Sequence, residues 1–269
     1  MPAPYNLNKK SHLKISIITV CFNSAATIAD TLKSVADQKN VNVEHVLVDG
    51  ASTDATLQII KRYADSATLV SEPDQGIYDA MNKGIRLATG EIVGTLNADD
   101  FYMNEHVLDY VAQVFLDPTV EACYGDLVYV RQDHVGQVVR FWRSTTFKPG
   151  LFKLGWMPAH PTFFVRASVY ERLGAFDLNY KIAADFELLF RFIEQNRIKT
   201  VYLPKVLVKM RLGGTTNKNM ANVATQNREI FSILRRYYAD FSVIRFVVSK
   251  ALNRTAQIYY GYKFRFFDQ

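Results

Sequence analysis

Two carboxylates stand side by side in Leu96-Asn97-Ala98-Asp99-Asp100, directly after a short apolar run. Adjacent acids at the end of a buried strand are electrostatically costly unless a cation or hydrogen-bond donors compensate them. A hard divalent ion, Mg²⁺ or Mn²⁺, is one compensation, since such ions bridge a carboxylate and a substrate's phosphates. A turn in which the acids cap the next helix is the other. Asp49, in Val48-Asp49-Gly50-Ala51-Ser52-Thr53-Asp54, ends a second apolar run. It suits a contact to a bound base or ribose, or equally an ordinary strand-to-helix turn. Asp185 precedes an amphipathic stretch to Gln195, where it fits either a helix cap or a general base for an incoming hydroxyl. His160 lies between Pro158 and Pro161 and reads as a metal ligand, an acceptor contact or a structural histidine.

These residues need elements to hold them. Lys14–Val20, Val43–Val48, Thr68–Val70 and Glu91–Leu96 are short, β-branched runs and predict buried strands. Between them, residues 25–38, a stretch running on from Ser52 to Tyr63, and Ile77–Ala88 show helical spacing of apolar side chains. Ser24 and the Ser52–Asp54 group are expected as N-terminal caps, and Gly90 as a C-terminal one. His106–Phe115 predicts a further helix. Strand and helix thus alternate four times over 120 residues, which specifies a parallel sheet. Ligands of such sheets bind beyond the carboxyl ends of the strands, where Thr19, Asn23, Asp49 and Asp99 fall. After residue 120 the pattern becomes strand-rich, with strands at Ala122–Val130, Val138–Trp142, Thr162–Arg166 and Thr200–Met210. Helices are expected at Ser168–Leu173, Asp185–Gln195, Ala221–Tyr238 and Ser242–Tyr262, and a flexible loop at Gly213–Asn217.

The 269 residues, 49% hydrophobic and 22% charged, suit one α/β domain with a modest appendage. Residues 1–217 are expected as that domain and 218–269 as a helical extension. Cys21 and Cys123 have neither metal spacing nor a disulfide framework, and predict reduced thiols in a cytoplasmic protein. The N-terminus lacks the apolar segment of a secretion signal. The net charge of +6 is concentrated in the segment Arg228–Arg265, where basic residues interleave with Tyr, Phe, Val and Ile. Such a tail suits the cytoplasmic face of an anionic inner membrane, a packed helix, or a second subunit in a homodimer. No other feature supports a nucleic-acid partner.

The ordered motifs resemble those of the family-2 glycosyltransferases with a GT-A fold. They are Ile17–Asn23, Val48–Asp54, Asp79-Ala80-Met81-Asn82-Lys83-Gly84, Gly90-Glu91-Ile92, Asn97–Asp100 and Ala184-Asp185-Phe186-Glu187. The similarity spans residues 14–217 and looks nearest to bacterial exopolysaccharide and O-antigen enzymes of the colanic-acid type. It implies a nucleoside-diphosphate sugar (UDP or GDP type) as donor, a divalent metal as cofactor, and a glycan acceptor, lipid-linked, as partner. It places Thr19, Cys21, Asn23, Asp49, Asp79, Lys83, Asn97, Ala98 and Arg211 on the donor, Asp99 on the metal with His160, and Asp185 as the base. The loop 211–217 would fold over the donor. Two departures stand out: Asn97 occupies the first acid of the D-x-D element, and Ala184 stands where many relatives carry Glu. Absence of the Q-x-x-R-W motif points to single-sugar transfer. A nucleotidyltransferase and a non-catalytic binding protein are the rival readings. The first is disfavoured by the missing glycine-rich basic loop, the second by the presence of both Asp99 and Asp185.

Overall fold

The computed structural model describes residues 12–213 and 220–267, with side chains to residue 264. Its frame is a nine-stranded sheet flanked by helices. Strands β1 (Lys14–Cys21), β2 (Asn42–Asp49), β3 (Thr68–Ser71) and β4 (Ile92–Thr95) pair in parallel, in the order β3-β2-β1-β4. Helices α1 (Ile28–Ala36), α2 (Thr56–Tyr63) and α3 (Ile77–Leu87) connect them. β1 shows how the pattern works. Seven of its eight residues are buried. Ile15 and Ile17 enter one core cluster while Ile18 and Val20 enter another, on the opposite face, as the two-residue period of a strand requires. α3 lies close over β1 at Gly84, where any Cβ would approach the Ile18 side chain to 2.3 Å.

Beyond β4 the sheet becomes mixed. The two-residue β5 (Phe101–Tyr102) and α4 (Val107–Val114) lead into β6 (Ala122–Val130), buried along its whole length. β6 pairs antiparallel with β7 (Val138–Trp142) and β8 (Phe164–Arg166), and parallel with β9 (Thr200–Arg211). β8 also joins β4 antiparallel and so links the two halves. α5 (Ala167–Leu173) follows β8. α6 (Ala184–Leu189) continues as a π-helical turn at Phe190–Gln195, where one α-helix was expected. In this wider turn Glu194 is fully buried. It accepts the Gly150 N–H at 3.0 Å and pairs with Arg197 at 2.6 Å.

The expected caps are corrected in detail. α1 begins at Ile28, because the Ser24 carbonyl accepts the Thr27 and Ile28 N–H groups and closes a separate turn first. Ser52 does not cap α2, but Asp54 accepts the Thr56 N–H at 2.9 Å. α3 ends at Leu87, so Gly90 belongs to the entry into β4. Two C-terminal helices, α7 (Met220–Tyr237) and α8 (Val243–Phe267), pack on this body. α8 lies against β7, with Phe264 edge-on to Phe141 at 5.4 Å between ring centres. At Gly261 the fit is so close that a Cβ would meet the Arg140 main chain at 2.7 Å. Of the expected loop at 213–217, positions 214–217 lie outside the described residues.

Candidate active site

A cavity of about 1430 Å³ opens at the carboxyl ends of β1 and β4 and runs past α6 to α8. Cys21, Phe22, Asn23, Asn97, Ala98 and Asp99 line its first end. Asn23 adopts φ 49°, which turns the chain sharply after β1. Its N–H donates to Ser52 Oγ at 2.8 Å, and its Oδ1 accepts the Thr53 N–H at 2.9 Å. The loops after β1 and β2 are thereby locked together. Asp49 completes the lock from a fully buried position off the cavity wall. It accepts the Ser52 N–H at 2.9 Å and the Ser71 hydroxyl at 2.6 Å, and Cys21 Sγ lies 3.6 Å away. Burial alone would raise the Asp49 pKa, but the Ser52 and Ser71 donors outweigh it and hold the value below the usual carboxylate range. Burial and the Asp49 charge push the Cys21 thiol up, so it stays protonated.

The paired acids have separate environments. Asp99 lines the cavity, whereas Asp100 is fully buried behind it. Burial first, and the Asp99 charge second, raise the Asp100 pKa well above the ordinary value. The Arg211 N–H, 3.3 Å from Oδ1, and the Asn97 amide, 3.4 Å from Oδ2, supply hydrogen-bond donors that resolve part of the electrostatic cost the sequence left to a cation or a cap. The capping alternative is excluded, because α4 starts only at Val107. Arg211, expected on the donor, is buried and braces this turn. It donates to the Asp99 carbonyl at 2.8 Å and pairs with Asp30. Thr19, two residues back from the strand end, is fully buried and meets His45 Nε2 at 3.0 Å. Asp79 and Lys83 also lie off the cavity wall. Lys83 pairs with Glu72 at 2.8 Å and with Asp79 at 3.7 Å.

Asp185 and His160 line the middle of the same cavity. Asp185 is not the α6 cap, since Ala183 holds that position. Its Oδ1 accepts the Phe186 N–H at 2.7 Å, and its Oδ2 faces His160 Nδ1 at 3.3 Å. The Tyr78 hydroxyl approaches Oδ1 at 3.4 Å while donating to the Ile182 carbonyl at 2.8 Å. Burial holds His160 below the ordinary histidine pKa, although the charges of Asp185 and then Asp99 oppose that shift. The imidazole is therefore neutral at pH 7. One contributor escaped the sequence reading. Glu229 on α7 accepts N–H bonds from Lys181, Ile182 and Ala183 at 2.9, 3.1 and 2.9 Å. It fixes the chain that enters α6 and so aims Asp185. No local motif marks a helix acid that caps a segment 46 residues earlier.

For a metal, the first end of the cavity supplies the Asp99 carboxylate beside Asn97 Oδ1, a buried acceptor with no hydrogen-bond partner. Among the described residues no group of three His, Cys, Asp or Glu side chains could hold an ion unaided. That fits Mg²⁺ or Mn²⁺ bound by one carboxylate and completed by substrate phosphates.

The Glycosyl transferase family 2 profile matches residues 16–174. The chain belongs to that family. A glycosyltransferase of Mycobacterium bovis named for PGL/p-HBAD biosynthesis is 34% identical over 215 residues, covering 75% of this chain and 78% of the relative. An uncharacterized glycosyltransferase of Rickettsia typhi is 26% identical, over 77% of this chain and 66% of its own. The GT-A fold recurs in S. aureus TarS 1-349 in complex with UDP-GlcNAc (TM-score 0.60, 22% identity, 95% of this chain and 73% of that one). It recurs also in mannosyltransferase PcManGT of Pyrobaculum calidifontis in complex with GDP-Man and Mn²⁺ (TM-score 0.59, 19% identity, 100% of this chain and 90% of that one). This family-2 glycosyltransferase spans only 40% of a longer TarS chain of the same fold.

Proposed function

We propose that the enzyme moves a single sugar, with inversion, from a nucleoside-diphosphate sugar of UDP or GDP type to a hydroxyl of a lipid-linked glycan in bacterial polysaccharide assembly. The observation that carries this reading is the placement of Asp99 and Asp185 on the wall of one cavity. Asn23, Cys21, Asn97 and Ala98 would lie along the nucleotide, with Asp49 holding their loops. Asp99 would hold Mn²⁺ or Mg²⁺, which supplies charge neutralisation at the departing diphosphate. The complexes of TarS with UDP-GlcNAc and of PcManGT with GDP-Man and Mn²⁺ support the donor class and the metal.

Asp185 takes the proton of the acceptor hydroxyl as that oxygen bonds to the anomeric carbon and the bond to the diphosphate breaks. Neutral His160 orients the base, with the Nδ1–H tautomer donating to Oδ2. Its Nε2 is the atom left for the metal or the acceptor. The basic, partly apolar surface of α8 supports a cytoplasmic protein docked peripherally on the inner membrane, with pairing of two copies as the alternative use of that face.

The test is a thermal-shift panel of nucleotide sugars with Mn²⁺, followed by product analysis. The matching donor stabilises the wild type, and transfer yields a glycosylated acceptor and free nucleoside diphosphate. Asp185→Asn keeps the donor-induced shift and loses about 10²- to 10⁴-fold in turnover. Undiminished transfer by that variant would sink the assignment. Formation of a nucleotide sugar from a sugar phosphate would favour a nucleotidyltransferase. Binding without turnover would favour a binding protein.

A further inference from the structure

The cavity exceeds the ~300–1000 Å³ of an ordinary small-molecule pocket, and its far end differs in charge from its first. Arg140 of β7 with Lys250 and Arg254 of α8 line that end. Arg140 lies over the Tyr129 ring at 4.2 Å and donates to Gln257 Oε1 at 2.6 Å. Lys250 is half-buried, with Nζ 3.3 Å from Asn227 Oδ1. Among the described residues none of the three cations has a carboxylate partner, in contrast to Arg191, Arg197 and Lys153, which all do. α8 contains no Asp or Glu to supply one.

Crowding of this kind is unfavourable. Burial, and then the Arg254 charge, lower the proton affinity of Lys250; burial lowers that of Arg140 too, with Tyr129 opposing the shift and the Arg254 charge adding to it. The Asp185 charge reaches Lys250 with the opposite sign, and His160 feels both Asp185 and Asp99. One cavity wall therefore carries both signs of charge: Asp99, the His160–Asp185 pair, and the cations Lys250, Arg254 and Arg140. A donor diphosphate bridged by metal to Asp99 does not by itself account for three cations without carboxylate partners beside the base.

We infer that Lys250, Arg254 and Arg140 bind a phosphate or diphosphate group of the acceptor, so that the hydroxyl beyond it is presented to Asp185. This deepens the transfer reading and rests on it. The ligand chemistry is an anionic phosphoester beside an apolar chain. The rings of Trp142 and Tyr260, also on the cavity wall, suit a sugar face or a prenyl stem.

The test uses the full chain in EDTA, so that no metal bridges an anion to Asp99. Isothermal titration with geranyl diphosphate should give saturable binding. That binding should fall about 10- to 100-fold in Lys250→Gln/Arg254→Gln, the range expected for losing charged hydrogen-bond donors. Arg254→Glu, at an exposed position that leaves folding intact, should show the same loss. Asp99→Asn should bind like the wild type. Unchanged affinity in Arg254→Glu, loss in Asp99→Asn alone, or equal binding of geraniol would each overturn the proposal. Inorganic pyrophosphate separates the sources. Weaker binding than geranyl diphosphate supports a lipid-linked acceptor, whereas equal binding would reassign the site to a free anion and overturn its acceptor role. The donor panel with Mn²⁺ is read independently. Failure there, with geranyl diphosphate still bound, would remove the transfer reading and leave the anion site standing.

Discussion

Asp126 on β6 directs one carboxylate oxygen at two donors, the Ser144 N–H at 2.7 Å and the Tyr202 hydroxyl at 2.9 Å. It is only 5% exposed, and burial outweighs those donors and raises its pKa to about 6. An acid that holds its proton more tightly when folded favours folding below its unfolded pKa of about 4, and that contribution is lost as pH rises through about 6. An asparagine Oδ1 can accept both donors without ever ionising. Asp126→Asn is therefore expected to be more stable than the wild type at pH 8 by roughly 1–3 kcal/mol, and equal to it at pH 4. Denaturant melts at the two pH values check this; a gain of equal size at both would refute it. At this scale the sequence singled out Asp99 and Asp185 because each stands at the boundary of an element, and both line the cavity. Thr19, Asp49, Asp79, Lys83 and Arg211, also expected on the donor, lie off the cavity wall. Whether a side chain at a strand end faces a cavity or backs a loop depends on its neighbours in space. Arg211 meets Asp30 across 181 positions of sequence, which no local pattern encodes.

The elements themselves were largely legible, since apolar periodicity marks strands and helices directly. β6 and β7 have the expected bounds. The π-turn at Phe190–Gln195 was not, because a single wide turn leaves no period to read. Nor was the join between α7 and α6, on which Asp185 depends. Glu229→Ala would leave three N–H groups at the α6 entrance without their acceptor. The expected cost is about 1–3 kcal/mol in unfolding free energy, together with a lower kcat at unchanged donor affinity. Glu229→Gln, which keeps an accepting oxygen, should recover part of the kcat. A purely structural role would instead lower stability and leave kcat per folded molecule intact.

At the level of the whole molecule, no helix among the described residues is long and apolar enough to cross a membrane. The tail that the sequence left open between lipid, body and subunit lies partly on the body, with Phe246 buried and 1% exposed. Its other face keeps Ile244, Val247, Val248 and Tyr259 exposed, next to exposed Arg245 and Lys263. Cations beside apolar side chains suit an anionic bilayer. Wild-type protein should float with phosphatidylglycerol vesicles and much less with phosphatidylcholine, more weakly as salt rises. Replacing those four apolar residues by serine should abolish flotation. Equal flotation of both proteins would dismiss the idea, and a fall in particle size by light scattering would assign the face to a second copy.

The seat of Gly261 on the Arg140 main chain has a consequence for handling the protein. Among the described residues β7 is hydrogen-bonded to a strand on one side only, by β6. A strand with a bare margin is a template on which other chains can add. With the helix backbone pressed against that strand, a newcomer finds no room. Shortening the protein before residue 243 would uncover the margin, so filament-like self-association, rather than a smaller well-behaved enzyme, is the natural product of such a truncation.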